Sequence, residues 1–286
     1  MIATTLVGGL GNQMFMYAMV RATALRCNTD FAFNTKMGFK KDYTFKRTLA
    51  LSLFPEIQLN ISKISTFDYY GGRLIQSISN RIGYNLLCPK IRILVEEEPQ
   101  HFQEELLHLS GTDYFLKGYW QCESYFKDIR DILQKEFCID ENLKSSCEQE
   151  MSTIKDCENR SVMVGIRLFE ECNSPHEKLT EDYFIKAMEI ISGKISNPIF
   201  FVFTQNKEWA INHLPSSFDI RIITPKNGNK GAIQDLYLMT QCKHHIISNS
   251  SFNWWGAWLA EDCNQIVISP TNFESKDSPC KKWIKL

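Results

Sequence analysis

The sequence predicts an α/β protein built on parallel sheets, and three observations carry that prediction. Short apolar runs of strand length (IATTLV, SVMVGIR, PIFFVFT) alternate with segments whose apolar residues recur at the helical period. Polar or glycine-rich turns close the strands, where a parallel sheet presents its ligand crevice beyond the carboxyl ends. At 286 residues and 44% hydrophobic content, the chain can bury a full core and is long enough for two domains of ordinary size.

Ile2 to Val7 read as the first strand. It runs into GGLGNQ at Gly8 to Gln13 and then a helix from about Asn12 to Arg26, because Phe15, Ala18, Met19, Ala22 and Leu25 fall on one helical face. Glycines 8, 9 and 11 permit positive φ and close approach of a ligand to backbone N–H groups, while Asn12 and Gln13 project side-chain amides from the same turn. The spacing is neither G-x-G-x-x-G nor a P-loop. From Thr29 to Glu98 the pattern is weaker: Asp30 to Asn34 reads as a strand and Lys63 to Leu87 as helical in part, broken at Gly71-Gly72. Tyr114 to Leu116 is a further strand, followed by Gly118, Tyr119 and Trp120 and a helix from about Glu123 to Glu136. The aromatic residues here read as core or domain interface. The charged stretch from Asp140 to Arg160 reads as a helix plus connection, and the domain boundary is placed there, giving 1–155 and 156–286.

In the second half, Ser161 to Arg167 is a strand, Thr180 caps a helix that runs through Ile191, and Pro198 to Thr204 is a buried strand. Arg221 to Ile223 is a strand, Ala232 to Gln241 a helix, His245 to Ser248 a strand and Gln265 to Ser269 the last one. Between these last two lies KHHIISNSSFNWWGAWLA, Lys243 to Ala260, read as strand, polar turn and amphipathic helix. Ser248, Asn249, Ser250 and Ser251 cluster donors where the helix begins, so the turn is either a phosphate seat or an ordinary N-cap.

Composition excludes several classes. A net charge of −1 gives no global field for nucleic acid, so an anionic ligand must be held locally. The basic clusters at Lys40, Lys41, Lys46, Arg47 and at Lys281, Lys282 are either solvated surface or a contact with an acidic membrane face. The ten cysteines are scattered without C-x-x-C or zinc-type spacing and read as reduced, mostly buried thiols. No signal peptide or membrane-spanning run is visible, and the expectation is a cytoplasmic protein, peripheral to the inner membrane face if those clusters bind lipid.

Arg167 closes its strand at the carboxyl edge, and a permanently charged fork of donors suits two phosphate oxygens; the alternative is an ion pair with Glu170 or Glu171. There is no D-x-D, so no metal is expected against a diphosphate, and the charge of a leaving diphosphate falls to Arg167, hydroxyls and helix N-termini. His244 and His245 alternate across a strand and read as core and edge residues, not joint metal ligands. No serine hydrolase motif is present.

GGLGNQMFMYA at 8 to 18, GYWQCESYF at 118 to 126 and CKHHIISNSSFNWWGAWL at 242 to 259 resemble glycosyltransferase family 11, the α-1,2-fucosyltransferases, in order and spacing. The resemblance implies a GT-B-like fold of two Rossmann-type domains facing a central cleft. It also implies metal-independent, inverting transfer of L-fucose from GDP-fucose to the 2-hydroxyl of a galactose on a glycan or lipid-linked oligosaccharide. It carries over to Gly11 and Asn12 beside donor and acceptor, to Arg167 on the diphosphate, and to Ser250, Ser251 and Phe252 at the phosphate seat. Asp235, in the matching D-L-x-L-M segment, is the candidate acceptor of hydrogen bonds from guanine, with helix capping as its alternative. Glu170, with Glu171 behind it, is the candidate general base. Two departures stand out. Gly165 and Leu168 replace the His and second Arg of His-x-Arg-Arg-Gly-Asp, and Thr204-Gln205-Asn206 stands where relatives show Ser-Asp-Asp. They open two alternatives, a GT-B enzyme with another donor or linkage and a degenerate nucleotide- or glycan-binding protein.

Overall fold

The computed structural model describes residues 1–35, 38–40, 42–43, 45–60, 91–96, 101–110, 113–168, 179–260, 262–273 and 275–286. They form two units, Met1–Ser52 with Glu56–Phe137, and Leu53–Pro55 with Cys138–Leu286.

In the first unit, β1 (Ile2–Thr5), α1 (Leu10–Arg26) and β2 (Phe31–Asn34) are followed by β3 (Ile91–Val95) and β4 (Asp113–Lys117). The sheet order is β2-β1-β4-β3 and every pair is parallel. α1 packs an almost fully buried surface on it, with Tyr17 stacked on Phe33 at 5.4 Å between ring centroids. The single helix expected over Glu123–Glu136 is instead two 3₁₀ turns, Glu123–Tyr125 and Lys127–Ile129, before α2 (Arg130–Glu136). A continuous helix would offer the Tyr125 carbonyl to the Ile129 N–H. Here the Arg26 guanidinium donates to that carbonyl, and the Ile129 N–H turns to Phe126. The expected helical stretch at Lys63–Leu87 lies outside the described residues.

The second unit contains α3 (Glu141–Ser145), α4 (Glu148–Lys155), β5 (Ser161–Gly165), α5 (Glu181–Ser192), β6 (Ile199–Phe203) and α6 (Lys207–His213). It continues through β7 (Asp219–Ile222), α7 (Gly228–Gln241), β8 (His244–Ile247), α8 (Ser251–Leu259), β9 (Val267–Ser269) and β10 (Ile284–Lys285). Its sheet has the order β10-β9-β8-β5-β6-β7, all parallel. Numbered from the start of the unit this is 3-2-1-4-5-6, the doubly wound order of a Rossmann sheet. β5, β6 and β8 are buried throughout, and β5 and β6 accordingly read as apolar runs, while β8 buries two histidines ahead of its isoleucines. Val162, Val164, Phe200, Val202, Ile246 and Ile268 meet Phe184, Ala187 and Met188 of α5 in one core.

The division falls at Phe137/Cys138, earlier than the 155/156 boundary expected from the charged stretch. α3 and α4 pack on α7, and Lys226 Nζ reaches Glu150 Oε1 at 2.6 Å, which ties that stretch to the second unit. Among the described residues no helix is long and apolar enough to cross a membrane.

Candidate active site

β5 and β8 lie side by side in the second sheet, Gly165 in register with Ile247. The chain leaves β5 towards β6 on one side and β8 towards β9 on the other. A crevice opens beyond the carboxyl ends where the winding reverses, and that is where an open α/β sheet takes its ligand. The Ser248 N–H donates to the Gly165 carbonyl at 3.1 Å. Arg167, partly exposed, emerges just past this bond on one strand, and the turn Ser248–Ser250 just past it on the other. The fold thus brings Arg167, Ser250, Ser251 and Phe252 to one switch point.

That turn is tight. The Ser250 N–H donates to the Ser248 carbonyl at 2.7 Å, and the Trp254 N–H opens α8 on the Ser250 carbonyl at 2.9 Å. Ser250 has the extended backbone of an N-cap, yet its hydroxyl caps nothing in α8. Among the described residues nothing accepts from the backbone N–H groups of Ser251, Phe252 or Asn253. Unmatched donors at the positive end of a helix dipole suit a phosphate. Trp254, Trp255 and Trp258 are buried, and the Trp254 indole donates to the Ser278 carbonyl at 2.7 Å, so α8 is held firmly behind that end.

Asp235 sits inside α7, whose N-cap is Asn227, so the capping alternative does not apply. It is 8% exposed, and its Oδ1 has no hydrogen-bond partner. Burial raises the carboxyl to about 6, against the pull of the Lys226 ammonium and backbone N–H. A buried carboxylate oxygen without a donor is costly, and a ligand N–H would relieve it.

The two departures from the family pattern acquire physical causes. A Cβ on Gly165 would lie 2.4 Å from Asn253 Nδ2, so the Asn253 amide fills the space a histidine would need there. That amide donates to Ser248 Oγ at 2.8 Å and braces the serine turn. Asn206 accepts from the Trp209 N–H at 2.9 Å and caps α6, while Thr204 Oγ1 accepts from the Asn206 N–H at 3.1 Å. His244 and His245 are both buried and use both ring nitrogens. His244 bridges the Asn159 carbonyl and the Ile266 N–H, and His245 bridges the Met239 carbonyl and the Gln265 amide. Among the described residues no group of His, Cys, Asp or Glu could hold a metal ion. Glu170 and Glu171 lie outside the described residues.

In the first sheet β1 and β4 are neighbours. After β1, Gly8 takes φ +77°, while Gly9 is the N-cap of α1 and Gly11 lies within the helix, so only the first of the three glycines uses positive φ. Asn12 Oδ1 accepts from Gln121 Nε2, beyond β4, at 3.1 Å. Gln13 is buried and fully engaged: it donates to the Gly8 and Thr48 carbonyls and accepts from the Ala50 and Leu51 N–H groups. After β3, Glu96 accepts from the N–H groups of Tyr119 and Trp120 at 2.7 and 3.0 Å. Sequence reading missed Gln121 and Glu96, whose partners lie 109 and 23 residues away, and Asn253, which meets Gly165 only through the β5–β8 pairing.

The model of glycosyl transferase family 11 matches residues 79–286. An Escherichia coli protein named alpha-1,2-colitosyltransferase is 30% identical over 100% of this chain and 98% of its own length. The chain belongs to glycosyltransferase family 11. A second relative, galactoside alpha-(1,2)-fucosyltransferase 1 of Bos taurus, is 27% identical over 64% of this chain and 52% of that protein. Among solved structures, a mutant of Arabidopsis thaliana FUT1 in complex with GDP superposes with a TM-score of 0.53 at 13% identity, covering 93% of this chain and 69% of that one. The family 11 member described here is therefore a glycosyltransferase with a GT-B-like fold, two α/β units each carrying a parallel sheet.

Proposed function

We propose that this enzyme transfers L-fucose from GDP-fucose to the 2-hydroxyl of a terminal galactose, with inversion and without a metal. What supports the reading is that Arg167 and the unmatched N–H groups of α8 follow neighbouring strands at one switch point, where they would form a cationic, donor-rich seat for a leaving diphosphate. The galactose 2-oxygen attacks the anomeric carbon as the bond to the diphosphate breaks, and the electron pair leaves on the phosphate oxygen facing Arg167. Ser250, Ser251 and Phe252 receive the other phosphate through backbone N–H and hydroxyl groups. Asp235 accepts from the guanine edge, and Gly11 and Asn12 contact the sugars. The acceptor proton passes to a carboxylate, Glu170 on the sequence reading, with Glu171 behind it.

A second reading is favoured by the relative named for colitose, a sugar that lacks the 3-hydroxyl of fucose. It keeps the α-1,2 linkage and changes the donor. Incubation with GDP-fucose or GDP-colitose, a panel of galactosides and EDTA, followed by mass spectrometry of products, separates the two. Fucosylated galactoside formed in EDTA supports the first reading. Product from GDP-colitose alone supports the second. Nucleotide binding with no product from either donor would leave a degenerate binding protein.

A further inference from the structure

Residues 38–40, 42–43 and 45–47 form a basic and aromatic knob on the first unit. Asp42 locks its shape from within: its carboxylate accepts from the Phe45 N–H at 3.0 Å and the Arg47 N–H at 3.2 Å, and its carbonyl from the Lys46 N–H at 3.0 Å. Lys46 takes φ +48° to close the turn. This leaves the one acidic residue of the sequence KKDYTFKR occupied by backbone, and its nearest approach to the Arg47 guanidinium is 4.0 Å. Lys40 and Lys46 are exposed and make no ion pair among the described residues. Two aromatic side chains stand out of the same turn, Tyr43 at 78% exposure and Phe45 at 37%, the latter under the Arg47 guanidinium at 4.1 Å.

The base of the knob is fixed to the carboxyl end of β1. A Cβ on Gly38 would fall on the Leu6 carbonyl, and Arg47 Nε is the nearest atom to a Cβ on Gly9, at 3.9 Å. Buried Gln13 holds Thr48 and Ala50 against the glycine turn. The knob is therefore anchored beside the glycine turn that follows β1.

We propose that the turn carrying Lys40, Tyr43, Phe45 and Lys46 docks the protein on an anionic lipid bilayer. Exposed lysines without carboxylate partners match the negative potential of such a surface, and Tyr43 and Phe45 match its interfacial layer, where an aromatic ring is apolar on one side and wet on the other. A nucleic acid would need a wider positive field than a chain of net charge −1 with one small knob supplies. The inference deepens the proposed function by presenting the galactoside on a membrane lipid. It rests on that reading only for the identity of the acceptor.

Flotation of the full chain with vesicles of phosphatidylcholine, alone or mixed with phosphatidylglycerol, tests it. The protein should float with the anionic vesicles only and be released by added salt. Lys40→Glu combined with Lys46→Glu should lower binding at least about tenfold, with Lys194→Glu, an exposed lysine of the second unit, as a silent control. Tyr43→Ser, which leaves the Asp42 hydrogen bonds intact, should weaken binding about threefold or more. Circular dichroism of each variant should match the parent. Failure of the parent to bind anionic vesicles, or parental binding by the double variant, overturns the proposal. So does release by inorganic pyrophosphate at constant ionic strength, which would assign the knob to a small anion. Absence of transfer to soluble galactosides by the parent would count against the proposed reaction and leave the vesicle result standing.

Discussion

Arg167 and Gly165 sit two residues apart on the same strand exit and fail in opposite ways when changed. Arg167 is partly exposed and, in the proposed reaction, faces the leaving diphosphate, so Arg167→Ala should keep the melting temperature and lower kcat/KM about 10²-fold, the loss expected for one preorganised charge partner. Unchanged turnover in a GDP-release assay would remove it from the mechanism. Gly165→Ala should instead cost stability, on the order of 1–3 kcal/mol by urea denaturation, because its Cβ would press on Asn253 Nδ2. An unchanged midpoint would mean that Asn253 swings aside freely. The position of Arg167 just past β5 was legible in the sequence, because a charged residue closes an apolar strand run there. The reason for Gly165 was not legible, since Asn253 follows it by most of a domain and only the β5–β8 register brings the two together.

At the scale of elements, the serine turn and α8 act as a unit whose donors are turned outward. A working N-cap serine is worth about 1 kcal/mol, but the Ser250 hydroxyl caps nothing, so Ser250→Ala should change stability by less than about 0.5 kcal/mol. Calorimetry should show GDP affinity falling about threefold or more, the loss of one hydrogen bond to a charged group. A full capping loss with unchanged affinity would restore the ordinary reading of that serine. α5, with a clear apolar period, α1, apolar on nearly every face, and the buried apolar runs of β5 and β6 could be read directly from the chain. β3, five residues ending in exposed Val95, and β10, only two residues, carry too little pattern. The break inside Glu123–Glu136 depended on Arg26, more than 90 residues away, reaching the Tyr125 carbonyl. Alternation of strands and helices implied parallel pairing, yet it could not say that β5 and β8 are neighbours, and the candidate site depends on that adjacency.

For the whole molecule, two buried histidines and one buried carboxylate of the second unit set opposing slopes in stability against pH. His245 is held neutral by burial and lowered from 6.5 to about 4, and His244 is lowered too, also by burial. Their contribution is complete above about pH 6.5 and is lost as pH falls towards 4, because the unfolded chain takes up the protons first. Asp235 runs the other way. Its carboxyl is raised from 3.8 to about 6, so the folded state carries a penalty above pH 6 that is relieved as pH falls towards 3.8. Each effect is on the order of 3 kcal/mol at its limit, and between about pH 6 and 4 they offset one another. Asp235→Asn removes one side of that balance. The variant should be more stable than the parent at pH 7.5, by roughly 1–3 kcal/mol, and should then lose stability on acidification where the parent stays nearly level. Added GDP should narrow the gap at pH 7.5, since a carboxylate kept charged at a cost to folding is repaid when a ligand N–H reaches Oδ1. Parallel melting curves for the two proteins from pH 7.5 to 4.5, with and without GDP, would show that the unpartnered oxygen neither strains the fold nor meets the nucleotide.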